Sequence, residues 1–295
     1  MFELFGISSQ ALFGQLLIGL INGSFYALLS LGLAVIFGML NIINFTHGAQ
    51  YMLGAFVAIF LLQYLELGYW WALVIAPLVV GATGIVLERL FLRWLYQLDH
   101  LYGLLLTFGL ALIIEGVFRN FFGSSGLPYS VPPSLTGGQN LGFMFLPNYR
   151  AWVVAASLTV CLATWFVIER TRLGAYLRAA TENPTLVRAF GINVPRMITL
   201  TYGFGVGLAG LAGVMAAPIY NVSPQMGANL IIVVFAVVVI GGMGSILGAI
   251  VTGFGLGLIE GLTKVFFPEA SNTVIFVVMA VVLLIRPAGL FGRSA

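Results

Sequence analysis

Few residues of this chain can do chemistry, and most of them stand in apolar surroundings. Asn44, His47, Gly48 and Tyr51 fall at i, i+3, i+4 and i+7, one stripe of a helix. They belong to the stretch NIINFTHGAQYMLGAF, which also carries Asn41, Thr46 and Gln50. Upstream, Gln15, Gly19, Asn22, Gly23, Tyr26 and Ser30 share one helical face. Uncompensated polar groups in hydrocarbon are costly, so each set needs a partner or a use. Small residues with Asn, Tyr and Ser suit a tight helix–helix seam, and they equally suit the polar wall of a conduit. For the second stripe the readings are a capped connector at the inner surface or a helix start lining a path. Asn44 or Thr46 can cap the following helix, whose N-terminus carries partial positive charge and suits a carboxylate.

Enzymatic chemistry finds no support. The two histidines, His47 and His100, and the one cysteine, Cys161, make a metal cluster implausible, and no disulfide can form within the chain. Neither HExxH nor GxSxG occurs, which disfavours an intramembrane enzyme. The acid–base pairs Glu115–Arg119 and Glu260–Lys264, at i, i+4, read as snorkelling pairs at the outer ends of spans. No acid stands clearly deeper, which counts against an ion- or proton-coupled carrier. The only lysine, Lys264, follows Thr263, so there is no Gly-Lys-Ser/Thr phosphate loop; if ATP drives this protein, another chain binds it.

The elements that must position these residues are membrane helices. Hydrophobic residues make up 61% of the 295 and charged ones 7%, where a soluble domain carries about 25%. Positions 4–65 and 197–259 carry no charge at all. The runs are too long for barrel strands, so the fold class is an all-α integral membrane protein, one helical bundle over residues 1–295. Spans are expected near 11–33, 48–66, 70–92, 101–122, 150–168, 197–217, 228–241, 246–264 and 273–286. The 228–241 run is short, so eight or nine crossings fit, with broken or re-entrant segments.

Arg89, Arg93, Arg170, Arg172, Arg178, Arg188, Arg196, Arg286 and Arg293 fall on one side; Arg119, Arg150 and Lys264 fall on the other. The positive-inside rule makes the first side cytoplasmic, with the C-terminus inside. The net charge of +3 therefore reads as orientation, not as nucleic-acid binding. With the first basic residue at Arg89, a cleavable signal peptide is not expected. The Pro/Gly-rich 123–149 segment is an outer loop. The glycine-interrupted GGMGSILGAI at 241–250 resembles the first break and suggests an internal repeat, of the kind that marks broken helices beside a substrate path. Gly205/Ala209/Gly213 and Gly253/Gly257/Gly261 form small-residue faces, for folding or for a subunit interface.

The cytoplasmic loop 169–196 has its own local grammar. Asn183 is an N-cap, Pro184 suits the first turn, Leu186, Val187 and Phe190 make an apolar face, and Gly191 is a C-terminal stop. A short amphipathic helix of about two turns follows, lying on the membrane or presented to a partner's groove.

Taken in order, GLINGSFYALLSLGLAVIFG, NIINFTHGAQYMLGAF, RAATENPTLVRAFGINVPR, LAGLAGVM and GGMGSILGA resemble the permease family of branched-chain amino acid ABC importers, from about Leu16 to Gly292. The resemblance implies a multi-pass subunit of the bacterial inner membrane with about eight or nine spans. It implies a second homologous permease, two ATPase subunits that bind ATP and magnesium, and a periplasmic solute-binding protein. Branched-chain or related small amino acids would cross by alternating access, with Asn22, Tyr26, Ser30, Asn44, His47 and Tyr51 as candidate path residues. Urea or short amides are rivals within the family, and an ATP-independent small-solute channel is the rival outside it. The ATPase would dock on Ala179, Ala180, Glu182, Asn183, Phe190, Gly191 and Ile192. Arg178 stands where the importer loop usually has Glu, so the docking contacts depart from the pattern there.

Overall fold

A computed structural model describes residues 8–40, 42–96 and 98–292. Asn41 and Arg293 lie outside the described residues. The chain is helical almost throughout: α1 (Ser9–Leu40), α2 (Thr46–Leu65), α3 (Tyr69–Leu90), α4 (His100–Phe122), α5 (Asn148–Arg170), α6 (Arg172–Glu182), α7 (Pro184–Ala189), α8 (Val194–Ala216), α9 (Met226–Gly241), α10 (Ile246–Phe266) and α11 (Val274–Ile285). Each of the nine apolar runs forms a helix. Seven are long and apolar enough to cross a membrane, and the chain is a multi-pass membrane protein. The other two, α9 with 16 residues and α11 with 12, reach only about 24 and 18 Å, short of a hydrocarbon core of about 30 Å.

Local chemistry starts several helices. Asp99 accepts from the Leu101 N–H at α4, Asn193 from the Arg196 N–H at α8, and Ser245 from the Gly248 N–H at α10. In the 123–149 segment a 3-10 turn at Pro133–Leu135 precedes the antiparallel strands β1 (Gly138–Asn140) and β2 (Phe145–Pro147), in register Gly138↔Pro147. Leu127 pairs with Val222, and Tyr129 is buried, so part of this segment packs into the bundle instead of lying over it.

Tight packing of α1 organises the rest. Gly19 and Gly23 meet Gly257, Gly253 and Phe254 of α10, and Gly32 meets Gly205 of α8. A Cβ on Gly32 would stand 2.6 Å from the Gly205 carbonyl oxygen. Lipid tails remove the hydrophobic drive between helices, so such backbone-to-backbone contact is what holds them. Both glycine faces seen in the sequence thus serve internal packing. The first-span face is this same seam: Gly261 sits on Gln15.

Eight of the nine arginines grouped by orientation lie among the described residues. All eight stand at the end shared by the C-termini of α3, α5 and α11, the loop helices α6 and α7, and the start of α8. Arg119, Arg150 and Lys264 stand at the opposite end. The two ends are called basic and distal below.

Residues 169–196 hold two helices where the sequence suggested one. The first, α6, has 11 residues, and it folds tightly onto α5: a Cβ at Gly174 would overlap the Ile168 carbonyl. Arg178 donates from Nη1 to the Ile168 carbonyl (2.8 Å) and faces Glu169 at 3.4 Å. The second, α7, is shorter than expected at six residues. Asn183 caps it through the Leu186 N–H (2.9 Å), and Gly191 beyond it takes φ +81°, a conformation glycine reaches without strain.

Candidate functional site

The α1–α2 break folds back into the bundle. The chain turns at the basic end of α1 and climbs back into the bundle before α2 begins. His47 lies against Leu29 and Gly32, eight to eleven residues before the end of α1, or about 12–16 Å along its axis. Phe45 meets Thr107, seven residues into α4, or about 10 Å. Both measures put the start of α2 about 10–16 Å inside the basic end of the bundle.

Non-helical backbone at that depth needs internal partners. Thr107 supplies them. Its hydroxyl accepts from the Phe45 N–H (3.2 Å) and lies 3.1 Å from the carbonyls of Ile43 and Leu104, to one of which it donates. No side chain caps α2: Phe45 is the N-cap residue, and the expected caps bond to each other instead. Thr46 donates to the Asn44 carboxamide oxygen, and Asn44 Nδ2 donates to Gln50 Oε1 at 3.3 Å. The Tyr202 hydroxyl of α8 faces Gln50, Thr46 and Asn44. His47 Nε2 sits 3.0 Å from the Leu29 carbonyl, so that nitrogen carries the proton.

A second helix starts inside the bundle from the other side. After α8 the chain passes Tyr220, whose ring packs on Phe25 with centroids 5.8 Å apart, and enters α9 at Met226. Gly48 of α2 and Gly227 of α9 cross there in backbone contact, and a Cβ on Gly227 would overlap the Gly48 carbonyl. Two helices of opposite direction therefore meet by their first turns deep in the bundle. Each such start carries partial positive charge, and neither has an acidic residue in its first turn. Around the crossing, His47 Nδ1, Gln50 Nε2 and the Tyr202 hydroxyl are buried with no hydrogen-bond partner.

The six candidate path residues divide into separate groups. Asn44 and His47 belong to the crossing. Ser30 donates to the Val234 carbonyl of α9 (3.3 Å). Tyr51 is packed in the core, its carbonyl against Gly213. Asn22 and Tyr26 belong to a distal cluster on Glu260, which accepts from the Tyr26 hydroxyl (2.7 Å), from Lys264 (2.5 Å) and from Asn22 Nδ2 (3.5 Å). The Tyr220 hydroxyl reaches Asn22 at 3.4 Å. Glu260 is only 6% exposed, so the snorkelling rim pair becomes a buried carboxylate locking α10 to α1. Snorkelling holds for Arg119, whose side chain is 54% exposed on Glu115.

Sequence reading missed Thr107, Tyr202 and Gln50 as site members, and missed the buried acid Glu88. Thr107 had one visible signal, the lone Ser/Thr hydroxyl of an apolar span. Of the loop residues, Ala180 is buried, while Ala179, Glu182, Asn183, Phe190 and Gly191 are exposed and Ile192 is half-buried.

Comparison with known proteins agrees with this architecture. Residues 15–283 match the family described as Branched-chain amino acid transport system / permease component. The chain is 30% identical to the high-affinity branched-chain amino acid transport system permease protein LivH of Escherichia coli K12, over 95% of both chains. It is 31% identical to BraD, the permease protein of the like-named system in Pseudomonas aeruginosa, again over 95% of both. It is also 28% identical to the E. coli permease protein LivM, over 90% of this chain and 67% of that one. No solved structure matches. With seven helices long and apolar enough to cross a membrane and this family match over residues 15–283, the chain belongs to the branched-chain amino acid transport permease family.

Proposed function

We propose that this chain is a permease subunit of an ATP-driven importer of the bacterial inner membrane, passing branched-chain amino acids by alternating access. The observation that carries the substrate side is the crossing of α2 and α9. An amino acid presents a carboxylate and an ammonium: the two helix starts with the Gln50 Nε2 and Tyr202 hydroxyl donors suit the first, and the unprotonated His47 Nδ1 suits the second. The crossing is buried here, so passage requires α2 and α9 to part at Gly48 and Gly227.

The drive enters at the basic end, which is cytoplasmic in this reading. Helix α6 is bonded to α5 through Arg178, and the Thr181 hydroxyl lies 3.4 Å from the Gly38 carbonyl of α1. A push on α7 therefore reaches two spans. Val187 anchors α7, while Leu186 and Phe190 are exposed, at 54% and 76%, for a groove on an ATPase partner. Similarity to both LivH and LivM supports a second, homologous permease beside this one. A solute-binding protein would deliver substrate at the distal end. ATP and magnesium would be held by the ATPases.

The test is ATP-driven leucine uptake into proteoliposomes carrying the purified complex. Asn44→Ala and His47→Ala should each cut uptake by about tenfold or more with the complex intact. Glu182→Ala and Phe190→Ala should weaken ATPase co-purification. Normal uptake in the first pair removes the crossing from the path. Leucine flux without ATP or any ATPase overturns the importer reading altogether.

A further inference from the structure

A second feature of the basic end stands apart from the crossing. A cavity of about 530 Å³ opens between the end of α3, the 3-10 turn Leu92–Leu95, α7 and the start of α8. Arg89, Arg93, Arg188 and Arg196 line it. The ion pairs among the described residues are Glu115–Arg119, Glu169–Arg178 and Glu260–Lys264, so none of these four arginines is in one. The one acid in the wall is Glu88, 1% exposed. Both its oxygens are engaged, by the Tyr96 hydroxyl at 2.6 Å and the Thr199 hydroxyl at 2.8 Å. Burial, then that hydrogen bond, raise the Tyr96 hydroxyl above the ordinary phenol range, so Tyr96 stays a donor to Glu88. Four guanidinium groups around one volume repel each other until an anion enters.

The surroundings indicate which anion. Trp94, in the 3-10 turn between Arg93 and Leu95, is 76% exposed, and Leu90, Phe91 and Leu98 are exposed beside it. An outward Trp with an apolar belt is the mark of the membrane–water boundary. The cavity thus lies at headgroup depth, with arginines inside and lipid-facing side chains around its edge. Guanidinium forks match phosphate oxygens in pairs, and basic pockets between spans at this level take lipid headgroups.

We propose that this cavity binds the phosphodiester headgroup of an anionic phospholipid from the leaflet at the basic end. Because α7 contributes Pro184 and Arg188, the lipid ties α7 to the ends of α3 and α8. The assignment does not depend on what the chain transports.

Native mass spectrometry of the purified chain, with whatever subunits accompany it, tests this after exposure to vesicles of phosphatidylglycerol or of phosphatidylcholine. Phosphatidylglycerol should be retained in preference. Its retention should fall roughly fivefold for Arg188→Gln and further for Arg188→Gln with Arg196→Gln. Arg286→Gln, at the same end but outside the cavity, should leave it unchanged. Equal retention of both lipids, or equal loss in the Arg286 variant, overturns the site. So does displacement of the lipid by inorganic phosphate at millimolar level, which makes the ligand a free anion. Release of a protein subunit by the double variant with lipid retention unchanged assigns the arginines to a protein partner and also overturns it. Should the double variant fail to fold, Arg188→Gln alone, on exposed α7, decides.

Discussion

Two interruptions of the chain look alike in sequence and fold differently. Residues 242–245 separate α9 from α10 at the basic end. Gly242 and Gly244 take φ +100° and +83°, Ser245 caps α10, and the chain reverses at once. Residues 42–45 separate α1 from α2 within the bundle. None of these four has positive φ, and Phe45 already takes helical φ −72°, ψ −21°. Backbone from the far C-terminal segment completes the first break, where the Leu290 and Phe291 N–H groups donate to the Ile240 and Gly241 carbonyls, whereas a side chain, Thr107 of α4, satisfies the second. A glycine-rich interruption lets distant backbone approach closely enough to bond it, and one without glycine takes a side chain from another helix. The two segments likened in sequence, 41–56 and 241–250, thus hold breaks of different geometry. The counterpart of the first re-entry is 217–226, which brings Gly227 against Gly48 from the other side.

Four substitutions would break or sharpen this contrast. The largest effect belongs to Gly227→Val, which drives a branched side chain into the Gly48 backbone; the variant should lose its monodisperse peak in size-exclusion chromatography. A well-folded variant would refute the crossing. Next, Thr107→Val strips partners from two buried backbone groups and should cost about 2–3 kcal/mol, read as a lower thermal midpoint in detergent, with Thr107→Ser recovering most of it. Gly244→Ala should cost less, about 1–2 kcal/mol, since it strains a turn at the bundle end and presses a Cβ to 3.0 Å from the Gly38 Cα of α1. If Gly244→Ala proved the more damaging of these two, the contrast between breaks would fail. Smallest is Leu186→Ser, on the exposed face of α7, which should shift the midpoint by no more than about 0.5 kcal/mol equivalent.

Legibility followed the range of the interactions. Asn183 and Gly191 were readable because a cap and a left-handed stop act over three or four residues. The face Gly253, Gly257 and Gly261 was readable as a contact surface because small residues four apart admit a backbone, although its partner α1 was not. Asn44 and Thr46 misled as caps, since their side chains found each other first. Glu260 misled because Lys264 four residues on is a local partner, while Tyr26 and Asn22, more than two hundred positions away, decide that the carboxylate is buried. Arg178, which looked like a departure in the loop, ties α6 to the end of α5.

Composition and spacing were enough for a multi-pass helical membrane protein, the nine apolar runs and the asymmetry of its basic residues. Those properties depend on hydrophobicity and length summed along the chain, and lipid imposes them on any sequence of this kind. Depth was another matter. That α2 begins inside the bundle, that α9 meets it there, and that Thr107 receives the re-entry all depend on groups brought together from distant helices. A backbone group cannot reveal in sequence which helix will satisfy it; only the packed bundle assigns that partner.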